Sequence, residues 1–561
     1  MKVTEAVAKA LTGLGADTVF GVVGSGNFHM TNALIAHGAR YVAARHECGA
    51  ASMADAWARL TGRPALLSLH QGPGITNALT GITEAAKSRT PLLVLAADVS
   101  ASAVTSNFRI DVAAITAATG ATPARLQSAG FAIDDAARAY RMARDERRTV
   151  LLALPLDVQA AECTWLGPPA ERPAAPVPPP PQQAAGLAVI LAGAARPVFI
   201  AGRGARGAAA RAALERLADE CGALLATSAA AKGLFRGNPW DLDVSGGFAS
   251  PLAAELIGGA DVVVGWGCSL NMWTTRHGRL VGPDTTVIQV DCEAEAIGRH
   301  RPVQLGVVGD VALTADAVAS LLRHEPRAPL PAGQDETGEL RGTGYRSAAL
   351  RERLAAGVRW RDVPFDDESD GERIDPRSLS IALDDMLPAD RIVAVDSGNF
   401  MGYPSMFLSV PDQDGFCFTQ AYQSIGLGLA SAIGCAIARP DRLPVAVLGD
   451  GGALMGISEL ETAVRLALPM VIVVYNDHGY GAEVHHFGPD GYPLDTVRFA
   501  AADLAAIARG FGCDAVTVRS TGDLEAVRAW LAARPPRPIL VDAQVTSERG
   551  AWWLEEAFRG H

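Results

Sequence analysis

The sequence predicts an α/β protein built from three doubly wound domains, each on a parallel sheet. Three observations predict it. The chain has 561 residues, enough for about three domains at roughly 100–200 residues each. Short apolar runs alternate with Ala-rich and Leu-rich segments of helical spacing along its length. Two stretches rich in proline, glycine and charge interrupt that alternation, from Gly167 to Gln183 and from Arg323 to about Gly344. They divide the chain into 1–165, 185–325 and 345–561.

The elements follow in order. In the first part the runs Val19 to Val23, Ala65 to Leu69 and Pro91 to Asp98 read as buried strands bounded by turn residues. The stretch ending Pro178-Pro179-Pro180-Pro181 cannot continue a helix or a central strand and reads as an extended linker. In the middle part the strands are Pro197 to Ala201, Asp261 to Gly265 and Thr285 to Val290, with Gly207 to Ala218 as a helix. In the last part they are Arg391 to Val395, Pro444 to Leu448, Pro469 to Tyr475 and Pro538 to Val541. Short buried strands alternating with helices imply parallel sheets, whose ligands bind at the carboxyl ends of strands.

Composition narrows the function classes. Hydrophobic residues make up 49% of the chain and charged residues 20%, so large cores form and wholesale disorder is excluded. No apolar run is long enough to span a bilayer, and Met1-Lys2-Val3-Thr4-Glu5 does not begin a signal peptide. A formal net charge of -12 without a block of Lys and Arg argues against a nucleic-acid partner. The eight cysteines are scattered with no CxxC pair, which fits a reducing cytoplasm rather than a disulfide scaffold or structural zinc.

The strongest site signal is the strand ending in Gly449-Asp450-Gly451-Gly452, followed one helix and strand later by Tyr475-Asn476-Asp477-His478-Gly479. Two strand ends then carry Asp450 and Asp477, and two carboxylates can share one hard divalent cation together with phosphate oxygens. Glycine amides and the helix start after Gly452 can take a diphosphate. The bland alternative is two ordinary glycine turns with solvated aspartates.

This spacing resembles the thiamine diphosphate motif, which begins Gly-Asp-Gly and ends in Asn-Asn. The resemblance implies that Asp450, Asn476 or Asp477, and a carbonyl near Gly479 bind Mg²⁺ on the cofactor's diphosphate. Asp477 stands where the family usually has the second Asn, which keeps an oxygen ligand but adds a negative charge. Segment 45–56, which begins Arg45-His46-Glu47-Cys48, resembles the family's proton-relay segment, with Glu47 protonating the aminopyrimidine ring. Tyr422 to Gly428 resembles the element over which the cofactor bends, with Ile425 as wedge and the Gln423 carbonyl as acceptor. Asp396 to Phe400 resembles the diphosphate turn, with Ser397 and Asn399 as donors.

The resemblance covers nearly the whole chain, in the order pyrimidine-binding, middle and diphosphate-binding domain, as in pyruvate decarboxylase, benzoylformate decarboxylase and acetolactate synthase. It implies a homodimer, often paired into a tetramer, with the site between subunits. Ser25 matches the serine of benzoylformate decarboxylase, and His70 its active-site histidine. Gly72-Pro73-Gly74 with Thr76-Asn77, and Phe108 with Arg109 in place of Gln, resemble acetolactate synthase. Arg109 could clamp a carboxylate or pair on the surface. Glu483 falls where pyruvate decarboxylase has a catalytic acid. The Gly202-Arg203-Gly204-Ala205-Arg206-Gly207 run matches GxGxxG. Acetolactate synthase binds FAD through this domain, but its FAD segments match poorly here, so no required FAD is expected.

The reading expected from the sequence is a thiamine diphosphate- and Mg²⁺-dependent enzyme that decarboxylates a 2-oxo acid and ligates the remaining fragment to a second carbonyl compound. The alternative is a simple decarboxylase. A non-catalytic thiamine diphosphate-binding subunit would have lost Glu47 or the metal turn. A nicotinamide-dependent dehydrogenase would rest on GxGxxG alone.

Overall fold

A computed structural model describes residues 1–171, 174–324 and 344–554. It contains three six-stranded sheets in which every strand pair is parallel. The first holds β1 (Thr18–Gly21), β2 (Arg40–Ala43), β3 (Ala65–Leu69), β4 (Leu92–Asp98), β5 (Thr122–Arg125) and β6 (Thr149–Pro155). The second holds β7 (Pro197–Ala201), β8 (Leu224–Thr227), β9 (Asp241–Val244), β10 (Val262–Trp266), β11 (Thr286–Asp291) and β12 (Leu305–Val308). The third holds β13 (Arg391–Val395), β14 (Phe416–Phe418), β15 (Leu443–Gly449), β16 (Val471–Asn476), β17 (Asp514–Val518) and β18 (Ile539–Gln544). Helices cover both faces, so the inner strands are buried on both sides and read as unbroken apolar runs.

The first sheet runs β2-β1-β3-β4-β6-β5 and the third runs β14-β13-β15-β16-β18-β17. Position for position these are the same order. The chain leaves β1 for β2 on one side and returns to β3 on the other, and it does the same from β13 to β14 and β15. Each of these domains therefore has a switch-point crevice, between β1 and β3 and between β13 and β15, where ligands of such sheets bind. The middle sheet runs β12-β11-β10-β7-β8-β9, the two-half order of dinucleotide-binding folds.

The first and third domains share one core. Helix Glu47–Thr61 of the first packs on helix Gly428–Ala438 of the third, and Met53, Trp57, Leu429, Ile433 and Leu460 lie in a single buried cluster. The proline run behaves differently from its expectation at its end. Helix Pro181–Gly193 starts on the last proline, because a first-turn proline sacrifices an amide that no helix bond needs. Before it the chain stays extended, and Asp310 N–H bonds the Val177 carbonyl at 2.8 Å. Helix Val311–His324 reaches the start of the second expected linker, and residues 325–343 of that linker lie outside the described residues. Among the described residues no helix is long and apolar enough to cross a membrane. No disulfide joins any of the eight cysteines.

Candidate active site

Three neighbouring strands of the third sheet end on one rim. Asp396, Ser397 and Asn399 follow β13, Asp450 follows β15, and Asp477 follows β16. Asp450 opens helix Asp450–Met455 and is buried. Burial, then the facing Asp477 carboxylate, pushes the Asp450 carboxyl up to about 7. Burial also pushes Asp477 up, while the Asn399 amide favours its charge. Asn399 Nδ2 donates to Asp477 Oδ2 at 3.2 Å, and its buried Oδ1 has no partner. Asn476 turns the other way: its Nδ2 donates to Asp542 Oδ1 at 2.8 Å. The structure thus brings Asp477, not Asn476, to Asp450.

The donor set fits a divalent cation carrying a diphosphate. Two carboxylates forced together in a buried place are relieved by a cation. No group of three or more His, Cys, Asp or Glu that could hold a metal occurs among the described residues. Two carboxylates, completed by phosphate and water oxygens, suit Mg²⁺. The rim is also shaped for close approach. A Cβ on Gly481 would stand 2.2 Å from Asp477 Oδ2 and 2.6 Å from Asn399 Nδ2. Gly449, Gly451 and Gly452 form the turn and the first helical residues beside it.

Asp396 braces the loop that holds Gln423 and Ile425. Its carboxylate accepts from the amides of Gly426 at 2.8 Å, Leu427 at 3.2 Å and Ser397 at 2.9 Å. Burial outweighs those bonds and pushes its carboxyl up to about 6. Gln423 is exposed, with φ 59°, and Ile425 is half-buried.

The other crevice carries the first-domain residues. Ser25 follows β1 and His70 follows β3. His70 Nδ1 lies 2.7 Å from the Gln71 carbonyl. A carbonyl only accepts, so Nδ1 carries the proton, and Nε2 of the neutral ring accepts from the Ser25 hydroxyl at 3.3 Å. Phe108 packs edge-on against this imidazole, with ring centroids 5.2 Å apart. Glu47 is the first residue of helix Glu47–Thr61, and its Oε2 accepts from Asn77 Nδ2 at 3.1 Å. Glu47 and His70 flank the same turn: a Cβ on Gly74 would meet His70 Cβ at 3.2 Å and Glu47 Oε1 at 3.7 Å. Among the described residues no hydrogen bond joins Glu47 to Asp450, Asp477 or Gln423.

Two candidates, Arg109 and Glu483, make none of these contacts. Arg109 is exposed and lines a cavity of about 920 Å³ with Asp98, Asp111 and Arg125. Glu483 is half-buried in helix Gly481–Phe487, whose first residue abuts Asp477.

The GxGxxG turn is already engaged. The amides of Gly202 and Gly204 bond the carbonyls of Trp266 and Gly267 at 2.9 and 3.0 Å, and the Ala205 amide bonds Gly202. Arg203 reaches the Ser88 carbonyl of the first domain. Arg206 reaches the carbonyls of Arg59 at 3.2 Å and Gln413 at 2.8 Å.

Sequence reasoning missed two buried acids that bridge domains, Glu84 and Glu459. Each accepts from backbone amides of the other domain's loop. Their one sequence mark is a carboxylate inside an otherwise apolar helix face, such as Ile82-Thr83-Glu84-Ala85.

Comparison with known proteins covers all three domains. Residues 1–120 match the thiamine pyrophosphate enzyme N-terminal TPP binding domain, 184–318 its central domain and 396–543 its C-terminal TPP binding domain. The chain is 30% identical over 548 residues to a probable 2-ketoarginine decarboxylase of Pseudomonas aeruginosa, covering 94% of this chain and 91% of that protein. It is 27% identical to the acetolactate synthase large subunit of Parasynechococcus marenigrum, covering 96% and 87%. It is also 27% identical to a sulfoacetaldehyde acetyltransferase of Castellaniella defragrans, covering 93% and 89%. A solved Rhodococcus jostii thiamine diphosphate-dependent 4-hydroxybenzoylformate decarboxylase superposes with a TM-score of 0.78 at 23% identity, covering 98% of this chain and all of that one, and shares the fold.

Proposed function

Because the chain belongs to the thiamine pyrophosphate enzymes, we propose that it decarboxylates a 2-oxo acid and returns a proton to the carbon that loses CO2. The observation that carries this reading is the Ser25–His70 pair beside Glu47. Bound thiamine diphosphate supplies a carbanion that adds to the 2-oxo group and a sink for the electrons that CO2 leaves behind.

The chain's own residues do the rest. Asp450, Asp477 and the Gly479 carbonyl would hold Mg²⁺. The amides of Gly451 and Gly452, with Ser397 and Asn399, would hold the diphosphate. The Gln423 carbonyl would orient the aminopyrimidine over Ile425, and Glu47 would hold the proton that its ring needs. His70 keeps its ring fixed through Nδ1, so Nε2 is free to take up a proton and pass it on directly or through the Ser25 hydroxyl. Glu483 would serve as a second acid from the opposite rim. Glu47 lies in the first domain's crevice and the metal turn in the third domain's, so a second copy of the chain would complete each site. FAD is given no part, since the middle domain's turn amides are already bonded.

A second reading is ligation to another carbonyl compound. The Phe108 edge against His70 favours it, because an apolar surface beside that imidazole could seat the carbon skeleton of an acceptor.

A product assay by mass spectrometry separates the two. Protein with thiamine diphosphate and Mg²⁺ receives a panel of 2-oxo acids, with and without aldehyde acceptors. The expected product is the aldehyde one carbon shorter, one per CO2. His70→Ala should lower kcat by about 100-fold or more, the usual worth of a positioned acid–base group. A product carrying both carbon skeletons overturns simple decarboxylation in favour of ligation, and no CO2 from cofactor-loaded protein overturns both.

A further inference from the structure

The first and third domains place equivalent helices between equivalent strands. Helix Pro73–Lys87 joins β3 to β4, and helix Glu459–Arg465 lies between β15 and β16. Each carries one buried acid that reaches out of its own domain. Glu459 Oε1 accepts from the amides of Arg45 at 3.1 Å and His46 at 3.0 Å, the two residues before Glu47. Its Oε2 takes the Thr462 hydroxyl at 2.6 Å. Glu84 accepts from the amides of Ala421 at 3.1 Å and Tyr422 at 2.6 Å, the two residues before Gln423. Arg59 Nη2 at 2.7 Å and the Ser88 hydroxyl at 3.2 Å fix that carboxylate from behind.

The two arrangements mirror each other. Each acid takes two successive amides, and each pair of amides directly precedes a residue of the proposed machinery. A carboxylate accepts at both oxygens, whereas an amide side chain offers one oxygen and turns an NH2 group onto a donor. The space is built for the carboxylate as well: a Cβ on Gly49 would stand 2.3 Å from Glu459 Oε1.

We infer that Glu84 and Glu459 are a reciprocal pair of positioning residues. Glu459 of the third domain sets the helix start that carries Glu47, and Glu84 of the first domain sets the loop that carries Gln423 and Ile425. The inference rests on the proposed function for what those three residues do, but the clamps themselves stand without it. Neither acid touches a reacting atom; each acts through the backbone it holds.

Amide hydrogen exchange on cofactor-free protein tests the pair directly. Glu459→Gln should speed exchange in residues 40–52 by about tenfold and leave 416–428 unchanged; Glu84→Gln should do the reverse. In turnover, Glu459→Gln should lower kcat by about 10- to 100-fold with KM within about threefold, since displacement of a catalytic group by about 1 Å costs that much. Glu84→Gln should weaken thiamine diphosphate binding about tenfold instead. Glu461→Gln, which removes an exposed pair with Arg45, is the control and should leave exchange and kcat as they are. If either variant fails to fold, Thr462→Val and Ser88→Ala take their places and should give the same local signature, smaller. Wild-type exchange in the clamped loop, or acceleration spread evenly over both domains, overturns the inference. A wild-type protein that releases no CO2 overturns the proposed function and leaves the exchange result standing.

Discussion

At the scale of the residue, adjacent Asn476 and Asp477 have opposite fates. Successive strand residues point to opposite faces, so register alone decides which one meets Asp450, and sequence left both open. In the structure Asn476 faces Asp542 and Asp477 faces Asp450. The Asp450 carboxyl, raised to about 7, lies above its unfolded value of about 3.9. The folded chain therefore binds an extra proton between about pH 4 and 7, and metal-free stability from this site falls as pH rises through that window. A divalent cation must displace that proton. Calorimetric Mg²⁺ affinity in the presence of thiamine diphosphate should rise about tenfold per pH unit below about 7 and level above it. Asp477→Asn removes the second cause of the rise, so the break should move to lower pH while affinity at pH 8 falls about tenfold. An unmoved break in that variant means Asp477 does not face the ion. Glu47, Asp450, Ser25 and His70 stood out in the sequence because each sits in a short run of distinctive residues, whereas the bond between Ser25 and His70 did not. Glu84 and Glu459 did not, because the amides they hold lie more than 300 positions away in the chain.

At the scale of the element, every strand read from the sequence is an inner one. β3, β7 and β13 have the expected bounds because all their residues are buried and read as one apolar run. The edge strands β2, β5, β9, β12, β14 and β17 escaped the apolar-run criterion. All six carry half-buried or exposed positions, at every residue in Thr122–Arg125, and β14 is only three residues long. Inner β6 and β8 were also not singled out, though both are buried. Helix contacts are harder still to read. Helix Gly428–Ala438 crosses helix Glu47–Thr61 so closely that a Cβ on Gly434 would stand 2.3 Å from the Met53 carbonyl oxygen. Gly434 is helical, so its backbone suits any residue and the constraint is purely steric. Gly434→Ala should cost about 1–3 kcal/mol by overpacking, although alanine is the better helix former. A melting temperature at or above wild type would mean that the two helices can part without penalty.

At the scale of the whole molecule, three domains meet around Arg59. Its guanidinium bonds Asp55, Glu84, Ser88 and the Phe418 carbonyl, joining the first domain to the third. The middle domain enters through Arg203 on Ser88 and Arg206 on Arg59 and Gln413. Burial, with the charge of Arg59 nearby, lowers Arg203 to about 10, and Asp55 and Glu84 supply the negative charge that offsets the crowding. The two-half sheet order made the middle domain look like a nucleotide site, but the side chains of its glycine turn brace the other two domains. Removing that brace should loosen the middle domain and nothing else. Arg206→Met leaves two carbonyls without their charged donor, a loss of about 1.5–3 kcal/mol per bond. Scanning calorimetry should then show a middle-domain transition below that of the wild type, separated from the unfolding of the other two domains. Thiamine diphosphate with Mg²⁺ should still raise the upper transition, because its proposed ligands lie in the first and third domains. FAD or NAD should raise neither, in wild type or variant. A rise with either dinucleotide means that the turn opens to bind one, since a ligand stabilises only the fold that binds it.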